Sequence, residues 1–184
     1  MNARELAEKR IIDRIIATEG GYISDLSDSG GETNYGITVD VARDNGYTGN
    51  MMGLPIQLAF KIYANKYWDA LRLDDIAGIN EEVAEELADT GINMGVIRSG
   101  EFFQRSLNVL NKEGSLFHDL VIDGLVGNKT IEAFEQLNLI RGEAGNKVLL
   151  KMLNSLQGEF YISLAERRQK DEKFVFGWFM NRVA

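Results

Sequence analysis

The 184-residue chain has no cysteine, one proline, one histidine and a shortage of positive charge. Without cysteine there are no disulfides and no thiolate metal sites, so stability must come from packing, and the redox compartment stays open. His118, in Leu116-Phe117-His118-Asp119, is the only imidazole; it reads as a structural residue, and no zinc centre is expected. No segment approaches the about 18 apolar residues of a membrane helix, so stable membrane insertion is not expected. Met1 to Arg10 carries Arg4, Glu5, Glu8, Lys9 and Arg10 and lacks the apolar stretch of a secretory signal. The expected location is therefore the cytoplasm, with release by another agent if the target lies outside. With 20 basic against 28 acidic residues the net charge is −8, which disfavours a nucleic-acid partner. The same charge denies the chain any long-range attraction to an anionic cell wall.

What is present is enough apolar content, 45%, to bury a real core as one domain or two small ones packed closely. Ala3 to Thr18 places Leu6, Ile11, Ile12, Ile15 and Ile16 largely on one helical face and stops at Glu19-Gly20-Gly21. Tyr22 to Thr38 is rich in Ser, Asp, Gly and Asn, a pattern of turns around one small hairpin. Beyond it, helical periodicity dominates. It predicts helices over roughly 39–45, 55–67, 81–94, 99–110, 129–137, 146–170 and 173–183. Gly91, Gly95 and Gly100 mark joints or close helix contacts. No repeat or low-complexity linker interrupts the chain.

Glu19 stands where the first helix ends, and Gly20 and Gly21 let the chain turn away and leave room beside the carboxyl for a sugar ring. A lysozyme-type glycosidase needs such an acid to protonate a leaving oxygen, and a second carboxylate or polar group to handle water or oxocarbenium charge. A hairpin folding back over the helix end can bring Asp28 and Thr33 toward Glu19 for that second task. The alternative is that these are ordinary turn residues and that Glu19 is a surface residue of a last helical turn.

Glu19-Gly20-Gly21-Tyr22, followed by Asp28-Ser29-Gly30-Gly31-Glu32-Thr33-Asn34-Tyr35-Gly36-Ile37-Thr38, resembles the opening of glycoside hydrolase family 108, whose members are muramidases of phages and prophages. The resemblance places the family's essential glutamate on Glu19. Ser29 stands where the family usually has proline, which bears on loop stiffness more than on chemistry. Trp68, in Lys66-Tyr67-Trp68-Asp69, falls on the family's Tyr-Trp pair, and Gly177-Trp178 with Arg182 falls on its closing residues. In the second half, Gln104-Arg105-Ser106-Leu107-Asn108 and Asp123-Gly124-Leu125-Val126-Gly127-Asn128-Lys129-Thr130 resemble the predicted peptidoglycan-binding region that accompanies such catalytic regions. Its glycines permit a tight turn whose role is open between glycan contact and structural tie.

The resemblance implies a mostly α, lysozyme-like fold with a small β-hairpin following the first helix. It implies a catalytic region over residues 1–90 and a helical binding region over residues 91–184, packed as one compact unit. The implied activity is hydrolysis of the β-1,4 bond between N-acetylmuramic acid and N-acetylglucosamine in peptidoglycan by an endolysin-like monomer, with no metal or organic cofactor. Catalysis is expected from Glu19, Asp28 and Thr33, and substrate contact from Tyr22, Tyr35, Trp68, Asp123 and Gly124. A lytic transglycosylase is the neighbouring alternative, and a non-catalytic wall-binding or secretion-accessory protein the distant one.

Overall fold

In a computed structural model, which describes residues 3–24 and 31–183, the chain forms two compact units, residues 1–69 and 70–184. The first unit opens with α1 (Ala3–Glu19), whose Ala7, Ile11, Ile12 and Ile16 are buried while Lys9, Arg10 and Asp13 face solvent. Three short antiparallel strands follow, β1 (Ile23–Ser24), β2 (Glu32–Asn34) and β3 (Ile37–Thr38), in that order across the sheet. Ile23 pairs with Thr33, and Asn34 with Ile37. The expected hairpin is thus present as β2 and β3, with β1 added to its edge.

Thr38 ends the sheet and caps α2 (Val39–Asp44) by accepting the Val41 amide proton. A 3₁₀ turn over Met51–Gly53 is capped in the same way by Asn50, and Pro55 precedes α3 (Ile56–Tyr63). That helix passes into a single π-turn, Ala64–Trp68, closed by the Asp69 amide bonding back to the Ala64 carbonyl at 3.0 Å. The wider turn carries Trp68 into the core of the unit, which also holds Ile12, Ile37, Met51, Leu54 and Ile62.

Among its described residues the second unit has helices and no strand: α4 (Leu73–Ala77), α5 (Glu81–Met94), α6 (Val96–Leu110), α7 (Asn128–Arg167) and α8 (Glu172–Asn181), with a long loop between α6 and α7 and a 3₁₀ turn over Gln169–Asp171 before the last. Asn80 caps α5 through the Val83 amide. The buried Ser99 hydroxyl donates to the Leu87 carbonyl at 2.8 Å and so ties α6 to α5. Between α6 and α7, Phe103 meets Phe134 edge to face, with ring centres 5.4 Å apart. Two expected helices, 129–137 and 146–170, are the arms of α7, which bends at Gly142, a residue at φ 54° and ψ −145°. No helix among the described residues is long and apolar enough to cross a membrane.

Candidate active site

Glu19 is the last residue of α1 and is half-buried; Gly20, at φ 83°, ends the helix in the left-handed conformation. The turn joining β2 to β3 consists of Tyr35 and Gly36, both at positive φ, 54° and 70°, as a two-residue hairpin loop of the primed kind requires. Asn34, buried beside this turn, donates to the Met51 carbonyl at 2.7 Å and anchors the sheet to the 3₁₀ turn. On the other side, the Tyr63 hydroxyl donates to the Tyr35 carbonyl at 2.9 Å. Gly36 has no side chain because no space remains for one. A Cβ there would stand 2.7 Å from the Tyr63 hydroxyl oxygen, 2.9 Å from Glu19 Oε2 and 3.0 Å from Glu19 Cβ. Glu19, Gly36 and Tyr63 therefore meet at one point. Burial, then the nearby charges of Glu19 and Tyr67, push the Tyr63 phenol far above its usual range, so it keeps its proton.

A groove of about 990 Å³ opens beside this point, bordered by Gly20, Gly21 and Tyr35. It runs between α1, at Glu5, Glu8, Asp13, Ile16 and Ala17, and α3, at Ile56, Gln57 and Phe60. Lys9, also on its wall, is ion-paired with Asp13. Gly21 has no neighbour among the described residues within 4 Å of the place its Cβ would occupy.

The expected site residues divide into groups. Glu19 and Tyr35 come together through Gly36 and Tyr63. Tyr22, half-buried, precedes β1, and Thr33, also half-buried, lies in β2 between Ile23 and Thr38. Asp28 lies outside the described residues. Trp68 was expected against substrate, but it is 2% exposed and has no free face on which a sugar could stack; its indole fills the core instead. Tyr63 was missed, because in sequence it reads as one more apolar position of a helix.

Asp123 and Gly124 belong to the second unit, where Gln104 organises their loop. Gln104 is 2% exposed; its Oε1 accepts the Asp123 and Gly124 amides at 3.0 and 2.8 Å. Its Nε2 donates to Asp123 Oδ1 at 2.9 Å and to the Leu125 carbonyl at 3.1 Å. The bond from Gln104, with that from the Leu125 amide, lowers the Asp123 carboxyl below its usual range. Gly124 sits at φ 74° with the Ile97 carbonyl oxygen 2.4 Å from where a Cβ would be. These contacts tie the loop to α6 just ahead of α7.

A second buried polar group in this unit is Glu86, on an acidic stretch of α5 (Glu81, Glu82, Glu85, Glu86 and Asp89) that by sequence reads as a solvated face. Glu86 is 9% exposed on α5 and accepts from the Thr90 hydroxyl at 3.4 Å. Gln157 of α7 donates to Asp89 at 2.9 Å and to Thr90 at 3.1 Å. Just past α8, Arg182 pairs with Asp89 at 2.9 Å, while Trp178 stacks on Tyr161 at 4.7 Å. Burial, reinforced by Asp89, pushes the Glu86 carboxyl up to about 7; burial likewise pushes the Tyr161 phenol up to about 12.

Two family models match the chain in succession, Glycosyl hydrolase 108 over residues 12–95 and Predicted Peptidoglycan domain over residues 98–183. Among solved structures, SagA of Brucella abortus matches with a TM-score of 0.60 and 20% identity, over 94% of this chain and 95% of that one. No curated relative matches. The fold is mostly α and lysozyme-like with a small sheet after its first helix, and the glycosyl hydrolase model, matched from residue 12 within that helix through the sheet, makes the protein a glycoside hydrolase. More particularly, residues 12–95 match the glycosyl hydrolase 108 domain, and a predicted peptidoglycan domain follows them. The two matches meet at the joint between α5 and α6, inside the second compact unit, so sequence modules and compact units divide the chain at different places. The reason is packing: α5 lies against α6 and α7.

Proposed function

We propose that the protein is a phage-type muramidase that hydrolyses the β-1,4 bond between N-acetylmuramic acid and N-acetylglucosamine in peptidoglycan, with Glu19 as the general acid. The observation that carries this reading is the Glu19 carboxyl at the end of α1, close to the bare Cα of Gly36 and next to a groove that opens at Gly20, Gly21 and Tyr35. In this reading a glycan strand enters with its scissile oxygen at Glu19, which gives up its proton as the bond to the leaving sugar breaks. Asp28 faces the developing oxocarbenium charge or polarises water, and Thr33 orients that water. Phage lysis as the setting is supported by the resemblance of Glu19 to Thr38 to the family's opening motif.

The test is digestion of purified cell wall with mass spectrometry of the products. New reducing ends on N-acetylmuramic acid are expected; anhydro-muramic products in the majority would make the protein a lytic transglycosylase. Glu19→Gln keeps the size of the side chain but removes the acidic proton, so cleavage should fall by about 100-fold or more. Asp28→Asn should impair turnover as well, and Thr33→Ala least. Wild-type cleavage by the Gln variant, at matched folding, would remove Glu19 from the mechanism.

A further inference from the structure

We infer that Tyr63 is the positioning residue of this site: its hydroxyl holds the Tyr35–Gly36 turn against Glu19 and thereby sets where the Glu19 carboxyl points. The inference rests on the reading of Glu19 as the acid.

Tyr63 is only 5% exposed, so a phenylalanine would serve the core as well, and the hydroxyl needs a reason of its own. Its one proton goes to the Tyr35 carbonyl. Tyr35 is a residue with a Cβ held at φ 54°, a strained conformation that persists only where neighbours impose it. The bond from Tyr63 is such an imposition. It draws the turn inward until Gly36 lies against both the phenol oxygen and Glu19 Oε2, with room for a hydrogen and nothing larger.

The phenol itself has little freedom. Its ring stacks on Tyr67 with centres 5.7 Å apart and planes 25° from parallel. Because the hydroxyl proton is committed to Tyr35, the oxygen offers the Glu19 side only lone pairs. The phenol's resistance to ionisation keeps its own proton on the Tyr35 bond throughout. Among the described residues, Gly20, Gly21 and Tyr35 border the groove at this end, while Glu19 and Tyr63 stand behind them, so loss of the Tyr63 hydroxyl should change the aim of Glu19 more than the groove itself.

The experiment compares Tyr63→Phe, Gly36→Ala, their double variant and Glu19→Gln, with kcat and KM measured on soluble glycan strands and Tm measured in parallel. Tyr63→Phe keeps the ring and its stacking, and is expected to lower kcat about 10- to 100-fold with KM little changed. Gly36→Ala, which keeps the Tyr63 hydroxyl but presses on it and on Glu19, should show the same split. The double variant should be no worse than the worse single one, since the phenylalanine removes one of the two oxygens the new methyl would meet. Wild-type kcat in Tyr63→Phe while Glu19→Gln is inactive would overturn the role of Tyr63 alone, and so would strictly additive losses that track Tm. If Tyr63→Phe fails to fold, the kcat and KM of Gly36→Ala decide: a rise in KM with kcat intact overturns the inference. Full activity in Glu19→Gln would instead overturn the reading of the acid, and this inference with it.

Discussion

Glu86→Gln tests the electrostatics of the second unit directly. Glu86 is almost wholly buried, and its carboxyl is raised from 4.5 to about 7 by burial first and by Asp89 second, against smaller opposing contributions from Thr90 and Asn154. The folded protein therefore holds this proton more tightly than the unfolded chain. Between the two values the folded state binds more protons, so the contribution to stability is fully present below the unfolded value and is lost as pH rises through about 7. A shift of that size corresponds to about 3 kcal/mol, an upper figure because relaxation and water penetration reduce it. Glutamine keeps the shape and the hydrogen bonding but has no proton to lose. Thermal and urea unfolding followed by circular dichroism between pH 5 and pH 9 should show the wild-type protein losing stability across this window relative to the variant. In Tm the gap should reach about 5–10 °C at the alkaline end and close at the acid end. A wild-type profile parallel to that of Glu86→Gln throughout would refute the reasoning, because the buried carboxyl would then ionise at no expense to the fold.

Gly124→Val should lower Tm and reduce turnover of soluble glycan and retention on insoluble wall together, since a side chain at φ 74° would meet the Ile97 backbone; loss of wall retention alone, with Tm unchanged, would make the loop a glycan contact. Trp68→Ala should destabilise the first unit by about 3–5 kcal/mol with KM unchanged in the fraction that stays folded, whereas a raised KM at unchanged Tm would return Trp68 to the substrate site.

Much of this protein was legible along the chain, for a local reason. The helices over residues 3–18, 39–45 and 81–94 were anticipated because apolar spacing and stops such as Gly20-Gly21 are properties of neighbouring residues. The bend in α7 was less so. The gap between 137 and 146 reads as a loop, yet helical bonding continues on both sides of Gly142, and only the packing of the arms decides that a kink suffices. The π-turn over Ala64–Trp68 is likewise silent in sequence, because burying Trp68 is what rewards the poorer hydrogen-bond geometry.

The sequence by itself determined that the chain is helical, free of disulfides, acidic, and built around a Glu-Gly-Gly opening at the end of its first helix. Those features depend on composition and on contacts a few residues apart. Only the tertiary structure decided which side chains share a site. It brought Tyr63, distant in sequence, to Tyr35 and the flank of Glu19, committed Trp68 to the core and turned the Asp123 loop toward Gln104. Each of these depends on a hydrogen bond or a close contact between distant segments, and one-dimensional spacing carries no record of such distances.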